Sequence, residues 1–312
     1  MIRLFSIANQ SSFKMNMPHS AGTAFRSLVA NERPVQIAGV INAYAALLAQ
    51  KAGFKALYLS GAGVANASHG LPDLGVIGLE DVLEDARRIT AVVDLPLLVD
   101  ADTGWGGEFL LARGVRELAR AGVAGIHLED QIAQKRCGHR PGKQLCSADE
   151  MIARIRAAID ARPDPNFVVM ARTDAAAVEG FDAAVERAQK YVEAGADMIF
   201  AEALTSLDEF KRFVKSVDAP ILANMTEFGK TPLLTISELR EAGVAIALYP
   251  LSAFRAMSAA ASAVYDAIIK TGSQKSVLDK MQTREQLYKI LNYHEYERKL
   301  DQLLSQSKDK GR

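Results

Sequence analysis

The feature that most constrains this chain is an alternation of short apolar runs with longer amphipathic stretches, repeated eight times. Most of the runs are continuously apolar, as strands of a parallel sheet are when helices cover both of its faces. Eight such alternations favour a closed (β/α)8 TIM-type barrel over an open doubly wound sheet. The predicted strands span residues 35–40, 56–60, 95–100, 125–128, 167–171, 198–201, 220–224 and 244–248.

The length of 312 residues suits one barrel with terminal extensions, because a (β/α)8 barrel uses about 250 residues. We predict a catalytic barrel domain over residues 19–270 and a helical tail over residues 271–312. An isolated barrel does not need this tail, so we predict that it contacts a neighbouring subunit. Residues 1–18 are predicted to be a flexible extension, arising either from an upstream start codon or from a weak organellar presequence.

Charge and cysteine content exclude several classes of partner. Lys and Arg together number 37, as do Asp and Glu, so no global field draws the chain to nucleic acid or to an anionic membrane. We predict neither partner. Two cysteines are too few for a disulfide framework, and a working thiol needs a reducing compartment. The composition therefore indicates the cytoplasm, with an organelle matrix as the second choice.

Carboxylates follow two neighbouring strands of the predicted barrel, and the carboxyl ends of all its strands meet at one mouth. Asp100 and Asp102 are alternate residues leaving one strand, and Glu129 leaves the next. Three carboxylates in one place repel one another unless a cation lies between them. Oxygen ligands without paired histidines favour Mg²⁺, or else Mn²⁺, over zinc. The alternative is that these residues only cap helix N-termini.

Two arginines and an asparagine, Arg172, Arg255 and Asn224, lie at or shortly after other strand ends. A guanidinium group binds a carboxylate through two parallel hydrogen bonds, so these residues indicate an acidic small-molecule substrate. Each arginine alone could equally be a structural ion-pair partner. The small residues 60–63 leave backbone N–H groups able to approach an anion, although a tight structural turn explains them equally well.

The segment Lys135-Arg136-Cys137-Gly138-His139 places a thiol among cations and one imidazole. Cationic neighbours favour the thiolate, so we expect the pKa of Cys137 to lie low enough for proton exchange near neutral pH. The alternative is an ordinary solvated loop that happens to contain a cysteine.

Six segments of the sequence resemble the isocitrate lyase/phosphoenolpyruvate mutase superfamily: residues 58–61, 71–73, 99–102, 127–130, 135–139 and 170–174. The likeness runs from about residue 19 to the C-terminus, and the 135–139 segment is typical of the lyases rather than of the phosphonate-handling members. The resemblance implies a barrel whose C-terminal helix is exchanged between subunits of a homotetramer. It also implies Mg²⁺ near Asp100 and Asp102, with Glu129 and Asp73 close by.

The resemblance further implies cleavage of a carbon–carbon bond in a small tricarboxylate. Rival activities within the superfamily are an isocitrate lyase and an oxaloacetate or phosphonopyruvate hydrolase, and the rival of another class is a barrel that only binds a dicarboxylate. The substrate contacts implied are Ser60, Gly61, Ala62, Cys137, Gly138, Arg172, Glu202, Asn224, Thr226, Arg255 and Arg284.

The catalytic roles implied centre on Cys137, which would protonate a carbanion as general acid. His139, Arg172 and Glu202 would tune that thiol. Tyr58 is the predicted general base, with Asp73 as the alternative.

Overall fold

Eight parallel strands close into a barrel in sequence order, with β8 pairing with β1. The computed structural model describes residues 20–309, and the predicted extension 1–18 lies outside the described residues. The predicted barrel is confirmed, and every strand falls within two residues of its predicted bounds. The strands are β1 (Val35–Gly39), β2 (Ala56–Leu59), β3 (Leu97–Asp100), β4 (Gly125–Glu129), β5 (Val168–Thr173), β6 (Met198–Ala201), β7 (Ile221–Asn224) and β8 (Ile246–Tyr249).

Helices cover the strands, and their starts follow local sequence signals. Ser147 and Ser206 each accept a hydrogen bond of 3.1 Å from the backbone N–H three residues later, as the spacing of a helix cap predicts. The helices are α1 (Ala21–Asn31), α2 (Ala43–Ala52), α3 (Gly61–Gly63), α4 (Leu79–Thr90), α5 (Glu108–Arg120), α6 (Ala148–Ala161), α7 (Phe181–Glu193), α8 (Leu207–Ser216), α9 (Ile236–Glu241), α10 (Ser252–Thr271), α11 (Arg284–Leu291) and α12 (Tyr293–Asp309).

The strands bury almost every residue they contain, which explains why their sequences are apolar without alternation. Their register decides which polar side chains become neighbours at the mouth. Asp100 of β3 lies beside His127 of β4, and Glu129 of β4 lies beside Arg172 of β5. Charged residues far apart in the chain therefore converge at the carboxyl ends of adjacent strands.

The chain divides into two compact units, one ending at Ala253 and the other beginning at Phe254. The predicted boundary of the barrel domain after residue 270 stays a prediction. Helix α10 buries none of its residues. Contact between the tail and a neighbouring subunit stays a prediction. Among the described residues, no helix combines the length and the apolar character needed to cross a lipid bilayer.

Candidate active site

The acidic half of the barrel mouth consists of Asp100, Asp102 and Glu129. All three are buried, and one oxygen from each lies within 4.8 Å of the others. The backbone N–H of Gly61 donates to Asp100 Oδ2 at 3.0 Å, and that of Asp102 donates to Asp100 Oδ1 at 3.0 Å. The structure thus brings together the three carboxylates that the sequence placed at neighbouring strand ends.

Two oxygens of the acidic half lack hydrogen bonds. Among the described residues, none donates a hydrogen bond to either oxygen of Glu129. Gly61 closes one side of the cluster so tightly that a Cβ at this position would lie 3.0 Å from Asp102 Oδ1. Buried carboxylate oxygens are the ligands that a hard divalent cation prefers, so these residues fit such an ion.

Burial distorts the ionisation of the acidic half. It raises the pKa of Asp102 to about 7, and repulsion from Asp100 adds to the rise. It also raises the pKa of Glu129 well above its ordinary value, against the attraction of Arg172. Burial opposes ionisation of Asp100 too, but His127 and the nearby cations hold its pKa well below its usual range. Ionisation of all three carboxylates together is therefore unfavourable in the protein alone.

Lys135 enters the acidic half from the loop after β4. Its Nζ lies 2.6 Å from Asp73 Oδ1 and also makes an ion pair with Asp102. Asp73 is thus joined to the cluster through Lys135 and is not one of its three converging carboxylates. Strand ends alone could not reveal this lysine. The available signal was the length of the β4–α6 connection, because loops of this kind usually have only a few residues.

The compensated half of the mouth consists of Arg172, Asp174 and Glu202. Arg172 Nε and Nη2 bind the two oxygens of Asp174 at 3.0 and 3.1 Å, and Nη2 lies 3.4 Å from Glu202 Oε2. Its Nη1 reaches across to Glu129 Oε2 at 3.3 Å. The guanidinium group predicted to hold a substrate carboxylate is therefore part of an internal ion-pair network.

His139 is held in one tautomer by its two neighbours. The backbone N–H of Lys230 donates to Nδ1 at 3.0 Å, so this nitrogen carries no proton. The ring proton therefore lies on Nε2, which is 3.0 Å from Glu202 Oε1. Burial opposes ionisation of Glu202, but Arg172 and this imidazole hold its pKa well below the ordinary value. His139 acts here as a hydrogen-bond donor that helps to fix Glu202 as a carboxylate.

The Cys137 loop, defined as residues 131–145, rests its tip on the compensated half. A Cβ at Gly138 would lie 2.5 Å from Arg172 Nη2 and 2.7 Å from Glu202 Cδ, so only glycine allows this approach. The prediction of a low pKa for the Cys137 thiol is wrong. Burial raises the pKa of Cys137, and neither the His139 backbone N–H nor Arg172 offsets that effect. Cys137 therefore keeps its proton at neutral pH.

Tyr58 lies at the border of the acidic half. Its hydroxyl is 2.8 Å from His127 Nε2 and 3.4 Å from Asp100 Oδ2. Burial, followed by repulsion from Asp100, raises the pKa of Tyr58 well above its ordinary value, which works against its role as a base. His127 is fully buried, and its contact with Tyr58 and its separation of 3.5 Å from Asp100 Oδ1 make it part of the site.

The other predicted contacts fall in different places. Asn224 donates to Glu202 Oε2 at 3.3 Å, while its own Oδ1 is buried and accepts no hydrogen bond from the described residues. The Gly61 N–H predicted to face an anion is instead used by Asp100. Ser60 and Thr226 are buried and Ala62 is half-buried. Arg255 and Arg284 belong to the second unit.

A closed parallel barrel with a buried carboxylate cluster and an arginine network at its strand ends defines a (β/α)8 barrel enzyme with a site suited to a divalent cation. Residues 25–269 match the family model described as phosphoenolpyruvate phosphomutase, and the chain belongs to this family. This family belongs to the superfamily that the six sequence segments resemble.

Relatives share this architecture over nearly their whole length. A protein of Shewanella oneidensis named 2-methylisocitrate lyase is 61% identical over 94% of this chain and 100% of its own length. One of Escherichia coli with the same name is 60% identical over 94% and 99%. The solved structure of a 2,3-dimethylmalate lyase superposes with a TM-score of 0.84 at 35% identity, covering 91% of this chain and 96% of that one.

Proposed function

We propose that the chain is a divalent-cation-dependent carbon–carbon lyase that cleaves 2-methylisocitrate to pyruvate and succinate, the lyase step of the methylcitrate cycle in propionate breakdown. The observation that carries this proposal is the seating of the Cys137 loop against Arg172 and Glu202, where the Gly138 backbone allows no Cβ. This loop carries the segment typical of the lyases. The high identity to proteins named for this activity supports the same reaction.

The acidic half would hold the cation. Asp100, Asp102 and Glu129 are the proposed ligands, with Asp73 nearby, and oxygen-only ligation favours Mg²⁺ with Mn²⁺ as the alternative. A bound Mg²⁺ supplies electrostatic stabilisation of negative charge on substrate oxygens.

The substrate contacts proposed are those of the sequence motifs. A tricarboxylate would displace part of the internal network of Arg172, since the same guanidinium donors that now bind Asp174 and Glu202 suit substrate carboxylates. The buried, unpaired Asn224 Oδ1 can accept a hydrogen bond from a substrate hydroxyl. Further contacts are Ser60, Gly61, Ala62, Cys137, Gly138, Thr226, Arg255 and Arg284.

The reaction begins with loss of the proton of the substrate's 2-hydroxyl group to a base. The candidates are Tyr58, whose raised pKa opposes the tyrosinate form, and Asp73, whose carboxylate is paired with Lys135. As the carbonyl of pyruvate forms, the carbon–carbon bond breaks and its electron pair passes to the succinate fragment. That fragment leaves as a carbanion in its aci-carboxylate form.

Cys137 then transfers its thiol proton to that carbanion. A raised pKa suits this role, because the thiol stays protonated at neutral pH until the strongly basic carbanion appears. His139 and Arg172 keep Glu202 ionised and in place beside the Gly138 backbone. The proton taken up by the base is returned to the thiolate before the next turnover.

The second unit supports a proposal about assembly. Large apolar side chains are exposed along its helices, among them Tyr265, Ile269 and Leu300. Surfaces of this kind mark protein–protein contacts. We place them in a homotetramer in which the C-terminal helix is exchanged between subunits, working in the cytoplasm. Sedimentation of the purified chain as a stable monomer would rule this assembly out.

The proposed function is tested by the products. The purified protein is given 2-methylisocitrate or isocitrate, each with Mg²⁺ and with EDTA, and the release of pyruvate or glyoxylate is measured. We expect pyruvate release from 2-methylisocitrate to exceed glyoxylate release from isocitrate, and both to stop with EDTA. A preference for isocitrate would contradict the proposed substrate, and absence of cleavage from either would contradict the lyase class.

A further inference from the structure

Lys143 is a buried lysine to which the reaction described above assigns no part. Its side chain is only 2% exposed, and its Nζ donates to the Gly138 carbonyl at 2.6 Å and to Asp174 Oδ1 at 2.6 Å. A buried ammonium group is costly unless it is paired and hydrogen-bonded, and here both partners are present. Lys143 therefore links the tip of the Cys137 loop to the end of β5.

Other contacts of the Cys137 loop hold it to itself or reach the barrel at other points. Gln131 and Leu145 form an antiparallel bridge, and the side chain of Gln131 bonds the backbone N–H and carbonyl of Arg136 at 2.9 and 2.8 Å. Lys135 pairs with Asp102, and His139 lies 3.0 Å from Glu202. The bonds of Lys143 add a connection between the backbone at Gly138 and the end of β5.

Asp174 is itself held in place by Asp130 and Arg172. Its backbone N–H donates to Asp130 Oδ1 at 2.8 Å, and its carboxylate holds Arg172 through two hydrogen bonds. The carboxylate that anchors Lys143 is thus the one that orients the arginine. Together with the neighbouring His139, Lys143 consequently holds the Gly138 backbone against Arg172 and Glu202, where the clearance is too small for a Cβ.

We propose that Lys143 is a positioning residue of the lyase reaction. By tying the Gly138 carbonyl to Asp174, it holds the Cys137 thiol over the pair formed by Arg172 and Glu202. The inference rests on the proposed function for the role of the thiol, but the holding of the loop can be measured without any substrate.

The first test measures thiol reactivity. Wild type, Lys143→Met, Lys143→Gln and the control Lys215→Met, which changes an exposed helix lysine, are treated with iodoacetamide at one neutral pH. Alkylation of each cysteine is followed by mass spectrometry. Because a charge-assisted hydrogen bond contributes about 1.5–3 kcal/mol, both Lys143 variants should alkylate Cys137 about 10 to 100 times faster than wild type. The buried Cys146 serves as an internal control and should not change.

Two results would overturn the proposal. One is a Cys137 rate in both Lys143 variants equal to that of wild type and Lys215→Met. The other is an equal rise at Cys146, which would mean that the whole fold has loosened. Lys143→Gln keeps a neutral donor of similar width, so it decides the question if Lys143→Met does not fold.

The second test separates positioning from binding. A displacement of about 1 Å at a reacting group can lower a rate about 10²-fold, so the Lys143 variants should lose kcat on this scale while KM stays within about threefold. A loss confined to KM would contradict the proposal. If wild type fails to cleave 2-methylisocitrate while Lys143→Met still exposes Cys137 selectively, the proposed function is wrong and the holding role stands.

Discussion

Both halves of the barrel mouth contain buried carboxylates, but they differ in how the charges are balanced. In the compensated half, Arg172 binds Asp174 and Glu202 directly, and His139 completes the set. In the acidic half, both oxygens of Glu129 lack a hydrogen bond from the described residues and the pKa of Asp102 rises to about 7, through burial first and then repulsion from Asp100. One half is organised by the protein itself, whereas the other offers a cluster of carboxylates that could hold a metal ion.

The Cys137 loop contacts both halves of the mouth. Lys135 reaches into the acidic half, and Gly138 rests on the compensated half. Cys137 lies between these two residues in the sequence, so the loop places its thiol at the border of the acidic and the compensated half.

Removal of the bound cation should lower the activity more than any other change, because the acidic half depends on that cation for its charge balance. Electrostatic stabilisation by a metal is worth several kcal/mol, so EDTA should lower the rate of pyruvate release by about 10³- to 10⁴-fold. Excess Mg²⁺ should restore the rate. Full activity after exhaustive chelation would show that the acidic half works without a cation.

Loss of the thiol between the halves should come next. Cys137→Ala removes the proposed general acid, and kcat should fall by about 10² to 10⁴. Cys146→Ala is the matched control, because this cysteine is buried away from the site and should leave kcat nearly unchanged. Near-normal turnover by Cys137→Ala, measured as pyruvate release, would remove the proton donor from the account.

Breaking the compensated half should destabilise the fold. Arg172→Met removes the guanidinium group that pairs with the buried Asp174 and Glu202, which should lower the free energy of unfolding by about 3–5 kcal/mol in urea denaturation. Arg212→Met, which removes an exposed pair at 3.8 Å, should cost less than about 1 kcal/mol. Equal losses for the two variants would mean that the network is not the organising element we describe.

The smallest expected effect is a shift in the pH dependence of Cys137 alkylation. Because burial raises the pKa of Cys137 above that of an ordinary thiol, its alkylation rate should reach its plateau at a higher pH in the folded wild type than in the urea-unfolded chain. The rate is measured site by site from neutral pH upwards in metal-free protein. A plateau already reached near pH 7 would restore the reactive thiolate predicted from the neighbouring cations.

Much of this architecture could be predicted from the sequence. Continuous apolar runs located all eight strands, and residues leaving their ends, such as Asp100, Glu129 and Arg172, became neighbours because the strand register pairs them. What could not be predicted depended on loop conformation and burial. Lys135 and Lys143 reach the mouth from an irregular connection, which has no periodicity that could place them.

The pKa of Cys137 likewise could not be predicted from the sequence. Neighbouring cations in the sequence indicated a low pKa, but burial of Cys137 outweighs them and reverses the direction. Burial depends on the folded position of the loop, to which Lys143 contributes.

The most direct test of the contrast between the halves is calorimetric titration of Mg²⁺ into EDTA-treated protein. Wild type, the double variant Asp100→Asn with Asp102→Asn, and Glu202→Gln are compared. The account predicts a single site per chain in wild type and Glu202→Gln and no binding by the double variant. Wild-type affinity in the double variant would contradict it.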